Sequence, residues 1–350
     1  MAEEEYISPR SNNILLGQDE AQNFFLHAYK TDALHHAFIL SGPQGIGKAT
    51  LAYRIARFLL TADDNKKTEY NSLNVSESSP VFKQIANGSN PDLMVVERDF
   101  IDADKKKIMS AIKNGEAFDD ADLAELKRSE FIRVNDVRKI NEFLAKTSFN
   151  DNWRVVIIDS ADDMNRNAAN ALLKVLEEPP ARTMLLLISH NIGELLPTIR
   201  SRCTLLTLKT LDDTTVASLL RRYRPELNTA MINKLVEMSN GSIGKAILYA
   251  DIDAVEIYEK LQKLLCAGRR YSMSDMLTFT AETAKDSDKF NILQELILKF
   301  IKEHMTDCRD KEALYNCWNQ TRRGFADCVV VNMDKRLMLL NLLTELCKVL

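Results

Sequence analysis

The sequence predicts an α/β fold, in which helices flank a five-stranded parallel sheet, followed by an all-helical C-terminal part. Three observations lead to this fold class. A glycine-rich loop follows the first apolar run, short continuous apolar runs recur up to residue 208, and strand signals are absent after it. Continuous apolar runs of this length are typical of strands that helices cover on both faces. We therefore expect an α/β domain over residues 1–208, a small helical domain over 209–266 and a second helical domain over 267–350.

The predicted strands are short apolar runs bounded by polar residues or turns. They are residues 37–40, 93–97, 155–158, 184–188 and 204–208. Between them, apolar residues recur at helical spacing, which predicts helices over residues 49–60, 135–146 and 165–176. The last of these helices ends before Pro179 and Pro180, because proline cannot continue a helix.

The C-terminal part of the chain shows only helical patterning. Residues 211–266 are interrupted by a predicted turn at 239–242, and a final helical pattern covers residues 329–350. Earlier in the chain, the charged segment 99–130 predicts a mobile excursion between strands. Its run Lys105-Lys106-Lys107 could contact nucleic acid, but a solvated charged surface is the simpler interpretation.

Residues 41–50, SGPQGIGKAT, form the most informative motif of the chain. They follow the pattern G-x-x-x-x-G-K-[ST], in which backbone amides surround phosphate oxygens and the lysine reaches the β- and γ-phosphates. The candidate phosphate-binding residues are Gly42, Gly45, Gly47 and Lys48. The loop opens a predicted helix, whose N-terminal dipole favours an anion.

Two positions that ATP hydrolysis needs are altered. Ala49 stands where a serine or threonine hydroxyl normally ligates Mg²⁺, and Thr50 is one residue further on, about 100° around the helix. Asp159 ends the third predicted strand, as an acidic Mg²⁺-linked residue should, although an aspartate there can also be a simple cap. Ser160 follows it in place of a glutamate, and a serine is too weak a base to activate water. The sequence thus predicts a vestigial or weak nucleotide site, which at most holds ATP or ADP.

Arg202 lies within Ser201-Arg202-Cys203, directly before the fifth predicted strand. From this position alone, a surface salt bridge is the simpler interpretation. The alternative is an arginine finger, which reaches the nucleotide of a neighbouring subunit and stabilises charge in the transition state.

Composition limits the remaining possibilities. A net charge of −4 and a pI near 5.9 are against an extended basic nucleic-acid surface. No apolar run approaches the ~18 residues of a membrane span, and the acidic N-terminus is unlike a signal peptide, so we expect a cytoplasmic location without membrane contact. Six scattered cysteines without a C-x-x-C pair predict reduced, mostly buried thiols and no metal site.

Several segments together resemble a known family. They are LLGQDEA at residues 15–21, HHAFILSGPQGIGKAT at 35–50, NPDLMVVE at 90–97, RVVIIDSADDMNRNAANALLKVLEEPP at 154–180 and SRC at 201–203. The set resembles the clamp-loader AAA+ ATPases, densely over residues 15–208 and more thinly beyond. The resemblance implies a P-loop AAA+ domain, a helical lid and a helical collar that packs in a multi-subunit complex. It also implies that the complex loads a ring-shaped sliding clamp onto primed DNA, with partners similar to the gamma/tau and delta subunits.

Three departures within this resemblance indicate a subunit that does not hydrolyse ATP. Ala49 and Ser160 are the first two. The third lies in GSIGKA at residues 241–246, where gamma/tau-like chains carry an arginine that senses the γ-phosphate, whereas this chain has Gly244 with Lys245 beside it.

The resemblance therefore implies that Arg202 is an arginine finger supplied in trans, to the ATP of an adjacent subunit. It also implies that this chain is a component of a DNA polymerase holoenzyme and has no ATPase activity of its own. Two alternatives stay open. In the first, the chain is a gamma/tau-like ATPase, in which Thr50 or a water replaces the missing hydroxyl and Asp162 or Asp163 replaces the missing glutamate. In the second, the chain senses ATP or ADP without cleaving it. Family members often carry a four-cysteine zinc module after the first helix, but residues 61–90 contain no cysteine, so we expect no zinc.

Overall fold

The computed structural model describes residues 8–101, 104–108, 110, 126, 128–145, 152–306, 308, 310–330 and 333–350. The chain separates into two compact units. The first is formed by Met1–Val216 with Gly241–Gly244, and the second by Ala217–Asn240 with Lys245–Leu350. The finer division into domains at 1–208, 209–266 and 267–350 stays a prediction.

A five-stranded parallel sheet organises the first unit, as the sequence predicts. Its strands are β1 (Ala37–Ser41), β2 (Leu93–Val96), β3 (Arg154–Ile158), β4 (Thr183–Ser189) and β5 (Thr204–Thr207). Their order across the sheet is β2-β3-β4-β1-β5, and every neighbouring pair is parallel. All residues of β1, β3 and β4 are buried, because these central strands are covered on both faces.

The helices described before residue 213 include α1 (Asp19–Lys30), α2 (Lys48–Leu59), α3 (Pro80–Ala86), α4 (Val134–Ala145), α5 (Arg166–Glu177) and α6 (Pro197–Arg200). They enclose the sheet in two apolar layers, and β3 shows how its side chains divide between them. Val155 and Ile157 join the layer that contains α1 and α2 residues, whereas Val156 and Ile158 join the layer of α4 and α5. This division follows from the alternation of side chains along a strand.

The three helices predicted for this part are present as α2, α4 and α5, although residue 146 of the second prediction lies outside the described residues. Asn165 explains where α5 begins, since its side-chain oxygen accepts a hydrogen bond from the Ala168 amide at 2.9 Å. The helix then ends at Glu177, two residues before the proline pair.

From residue 213 onward, the described chain is helical, which confirms the predicted all-helical C-terminal part. Its helices are α7 (Asp213–Tyr223), α8 (Thr229–Ser239), α9 (Ile243–Asp251), α10 (Ala254–Cys266), α11 (Met273–Lys285), α12 (Ser287–His304), α13 (Lys311–Val330) and α14 (Lys335–Val349). The predicted turn at 239–242 is present, with positive φ at Asn240 and Gly241. The final helix begins later than its pattern predicts, because the Asp334 side chain caps it by accepting from the Leu337 amide at 2.8 Å.

The predicted excursion over residues 99–130 lies largely outside the described residues. Its two ends meet, because the Ser129 amide donates to the Asp99 carbonyl oxygen at 2.7 Å. Within it, Lys105 forms an ion pair with Asp99 at 2.6 Å.

Candidate functional site

The glycine-rich loop connects the carboxyl end of β1 to the start of α2, which is the strand–loop–helix context that a phosphate-binding loop requires. Gly47 immediately precedes α2 with a φ of 100°, a backbone conformation that favours glycine. Gly42 is restricted by space, since a Cβ on it would stand 2.6 Å from the Leu208 carbonyl oxygen. Thr50 is buried within α2. The loop therefore has the predicted placement.

Lys48 is directed to the carbonyl groups of its own loop. Its Nζ donates to the carbonyl oxygens of Gly42 and Pro43, both at 2.5 Å, and the residue is only 3% exposed. Burial lowers the pKa of Lys48 to about 8, although the nearby carboxylates of Asp162 and Asp159 act in the opposite direction. A phosphate group would have to compete with these two carbonyls for the ammonium.

Asp159 and Asp162 lie close to the carboxyl edge of the sheet, just after β3. Burial, reinforced by the charge of Glu97, raises the pKa of Asp159. The carboxylate of Asp162 accepts a hydrogen bond from the Ser189 hydroxyl at 2.6 Å and another from the His190 amide. Asp162 thus joins the ends of β3 and β4, and its oxygens are engaged in that task.

The position that would hold a catalytic glutamate has an unusual backbone. Ser160 has a φ of 59°, in the left-handed region, and its hydroxyl lies 3.3 Å from Nε2 of His190. Asp163, which the ATPase alternative would use as a substitute base, is paired with Arg98 at 3.1 Å. Ser160 and Asp163 therefore already have structural partners in His190 and Arg98.

Residues 241–244 contact the phosphate loop directly, which the sequence did not reveal. The Ser242 hydroxyl donates to the Gln44 carbonyl oxygen at 2.8 Å, and the Gly244 amide donates to the Gly45 carbonyl oxygen at 2.9 Å. The only signal in the sequence was Gly244 itself, at a position where gamma/tau-like chains carry an arginine. The loop is thereby covered by another part of the first unit.

Arg202 lies at the surface between α6 and β5. Its Nη1 donates to the Thr198 carbonyl oxygen at 3.0 Å and to the Ser201 hydroxyl at 3.4 Å. Its Nη2 forms an ion pair with Oε1 of Glu177 at 2.8 Å, in which the two side chains are 36% and 50% exposed. The salt bridge that position alone predicted is present, and about a third of the Arg202 side chain remains accessible to solvent.

Strand register places Arg202 near the amino ends of the strands, whereas the phosphate loop lies at their carboxyl ends. Phe38 of β1 is level with Thr204 of β5, so Arg202 lies near the amino end of β1, whereas Gly42 follows its carboxyl end. A five-residue strand spans about 16 Å. Arg202 is thus too far from the chain's own phosphate loop to serve it.

This arrangement defines the class of the protein. A parallel sheet of order β2-β3-β4-β1-β5, with a phosphate loop after β1 and an acidic residue after β3, is a P-loop fold of the AAA+ type. The chain belongs to the DNA polymerase III delta-subunit family, whose family model, described as "DNA polymerase III, delta subunit", matches residues 17–212. Within the clamp-loader resemblance, the sequence favours the delta-prime subunit over gamma/tau, and the match confirms this prediction.

Relatives of both kinds are found. The DNA polymerase III subunit delta' of Pseudomonas aeruginosa is 33% identical over 207 residues, covering 59% of this chain and 53% of that protein. The delta' subunit of Bacillus subtilis is 26% identical over 251 residues, covering 70% and 65% respectively. The gamma subunit of Buchnera aphidicola is 25% identical over 243 residues, covering 68% and 57%. The chain therefore spans between about half and two thirds of the length of these relatives.

The remaining predictions concern metals, thiols and membranes. In the described part of the chain, no helix is both long and apolar enough to cross a bilayer. Groups of three or more His, Cys, Asp or Glu side chains placed to hold a metal ion are also absent from the described residues. The cysteines are unpaired, with Cys317, Cys328 and Cys347 buried and Cys266 exposed. A cytoplasmic location and the absence of zinc stay predictions.

Proposed function

We propose that this chain is a delta-prime-like subunit of a DNA polymerase III clamp loader, which helps to load the sliding clamp onto primed DNA and hydrolyses little or no ATP itself. One observation carries the proposal. Arg202 is solvent-accessible at the sheet edge opposite the chain's own phosphate loop, so the nucleotide it can serve belongs to another subunit. The names of the relatives, which are delta' and gamma subunits of DNA polymerase III, support gamma/tau-like and delta-like partners.

Arg202 has the chemistry for this role. A guanidinium is permanently charged and offers a planar fork of donors that matches phosphate oxygens. The Thr198 carbonyl anchors one of its terminal nitrogens, so that the charge is presented close to the surface rather than at the end of a free side chain. On a neighbouring gamma/tau-like subunit it would stabilise the charge that develops as the γ-phosphate is cleaved.

The chain's own site is poorly equipped for ATP or ADP. Its candidate residues are Gly42, Gly45, Gly47, Lys48, Thr50 and Asp159. Lys48 is engaged by two loop carbonyls, and Gly244 packs against the loop where a nucleotide-sensing arginine would otherwise project. Ala49 supplies no oxygen for Mg²⁺. The residues present therefore do not fit a bound Mg²⁺-nucleotide.

The test is Arg202→Ala in the clamp loader reassembled with its partner subunits. We expect DNA-stimulated ATPase activity to fall by about 10³-fold or more, with assembly intact, because this is the usual effect of removing a finger. Arg200→Ala is the matched control, since Arg200 is an exposed arginine two residues earlier.

Two outcomes would contradict the proposal. Normal ATPase activity in the assembled Arg202→Ala complex would reject the finger role. Steady ATP turnover by the isolated chain, lost in Lys48→Ala, would establish the gamma/tau-like ATPase alternative instead.

A further inference from the structure

Glu177 occupies an electrostatically poor position. It is the last residue of α5, and Glu178 follows it at the helix end. The C-terminus of a helix carries the negative end of its dipole, so a carboxylate there is disfavoured unless a cation offsets it. Arg202 supplies that cation through the 2.8 Å ion pair. The structure therefore pairs the proposed finger with a carboxylate that helix electrostatics alone would not favour.

Both terminal nitrogens of Arg202 are engaged in this state. Nη1 has the Thr198 carbonyl and the Ser201 hydroxyl, which belong to the adjoining turn. Nη2 has the carboxylate of Glu177, a charged partner from a different element, α5. A phosphate oxygen needs the same donors, because arginine binds phosphate through its terminal N–H groups. Glu177 and a phosphate would thus compete for Nη2.

The ion pair is suited to exchange. Half of the Glu177 side chain and about a third of the Arg202 side chain are exposed, and ion pairs of such exposure contribute little because water and salt compete with them. The Thr198 carbonyl is a neutral backbone partner that can remain bound while the guanidinium turns.

We propose that Glu177 is a positioning residue, which holds Arg202 beside α5 until the phosphates of a nucleotide on the neighbouring subunit displace it. The proposal rests on the proposed function of Arg202 in trans. Glu177 contacts Arg202 and not the nucleotide, so it acts by setting the concentration of ATP at which the neighbouring site engages the finger. Its carboxylate opposes engagement and leaves the rate of the engaged complex unchanged.

The test is Glu177→Gln, which keeps the shape of the side chain and removes its charge. In the reassembled loader with clamp and primed DNA, we expect the half-saturating ATP concentration to fall about two- to fivefold, the range of an exposed ion pair, while kcat stays at the wild-type value. Glu178→Gln is the matched control, because it removes the same charge one residue away and its side chain is not among the ion-pair partners described for Arg202. It should behave as wild type, and the difference between the two variants should shrink at high salt.

A second readout needs no ATPase activity. In the isolated chain, NMR of arginine labelled with ¹⁵N should show faster rotation about the Cζ–Nη bonds of Arg202 in Glu177→Gln than in Glu178→Gln. Equal rotation in the two variants would overturn the proposal.

The roles of Arg202 and Glu177 can be rejected separately. If Arg202→Ala leaves the assembled ATPase active, the finger role fails, and the role of Glu177 fails with it. If Arg202→Ala is inactive but Glu177→Gln and Glu178→Gln have the same half-saturating ATP concentration, only the role of Glu177 fails. A fall in kcat with lower thermal stability in Glu177→Gln would show a structural role and would also overturn it.

Discussion

The amide of Gly244 donates a hydrogen bond to the carbonyl oxygen of Gly45 at 2.9 Å, and a Cβ on Gly244 would stand 2.8 Å from the Cα of Gly45. Ser242 adds a second bond, to the carbonyl of Gln44. The segment that resembles the γ-phosphate-sensing region of gamma/tau-like chains thus packs on the phosphate loop by its backbone. This close approach explains why position 244 is a glycine.

Gly244→Ala should destabilise the protein. The new methyl group would meet backbone that cannot move aside as a flexible side chain would, and overpacking of this kind costs about 1–3 kcal/mol. Chemical denaturation would measure the change in the free energy of unfolding. Gly193→Ala is the matched control, because a Cβ on Gly193 would meet only the side-chain oxygen of Asn191, at 3.2 Å. Its free energy of unfolding should change by no more than about 0.5 kcal/mol. Wild-type stability in Gly244→Ala would contradict the packing described.

The pKa of Lys48 gives a prediction about pH. Burial lowers it from an ordinary value of 10.5 to about 8, so between these values the folded state binds fewer protons than the unfolded state. Lys48 therefore contributes to the free energy of unfolding an amount that increases as the pH rises from about 8 to 10.5. This contribution is lost as the pH falls through about 8. Lys48→Met lacks the titrating group, so the stability of the wild type relative to this variant should increase from pH 7.5 to pH 9.5. Denaturation curves whose difference is independent of pH would show that Lys48 is not buried as described.

Much of the fold was predictable from the sequence because the central strands are apolar throughout. β1, β3 and β4 are buried on both faces, so their runs are continuous and easily recognised. The end of α5 was equally clear, since Pro179 and Pro180 follow it. The start of α14 was not, because apolar spacing continues upstream of the Asp334 cap and periodicity alone does not locate a cap.

The candidate site was predicted residue by residue but not in its contacts. The pattern identified Lys48, but not that its ammonium would bind the carbonyls of Gly42 and Pro43, because that depends on the local path of the loop. Glu177 lay within a recognised motif, yet its pairing with Arg202 joins residues that only the sheet topology brings together. Contacts of this kind depend on tertiary structure, which spacing along the chain does not encode.

Restoring the two missing groups should not restore hydrolysis. Ala49→Ser combined with Ser160→Glu would replace the hydroxyl and the carboxylate, but Lys48 would still be held by its loop carbonyls. We expect no steady ATP turnover by the isolated double variant, assayed beside a gamma/tau-like subunit as a positive control. Turnover that Lys48→Ala then abolishes would show that the two losses alone had silenced the site.

Arg57 is a buried cation of α2 that contacts the segment before α1. Only 1% of its surface is exposed. Its Nη1 donates to the Arg10 carbonyl oxygen at 3.0 Å, and its Nη2 donates to the Asn12 carbonyl oxygen at 2.9 Å. Its Cζ lies 4.8 Å from the centre of the Phe82 ring. Arg57→Leu would remove two hydrogen bonds from a charged donor, each worth about 1.5–3 kcal/mol, so we expect a loss of about 2–5 kcal/mol in the free energy of unfolding.

The loss should be local in origin. Because Arg57 fixes the segment that precedes α1, hydrogen exchange should accelerate at residues 11–14 before it does so in β1. Lys209→Ala is the control. Lys209 forms a 2.8 Å ion pair with Glu20, and the two side chains are 73% and 85% exposed, respectively. Loss of this ion pair should change the free energy of unfolding by less than about 1 kcal/mol. If the two substitutions lowered the free energy of unfolding equally, or if hydrogen exchange at residues 11–14 were unchanged, Arg57 would not anchor this segment. A larger loss in Arg57→Leu, with faster exchange at residues 11–14, would identify Arg57 as a buried cation that fixes the chain leading to the phosphate loop.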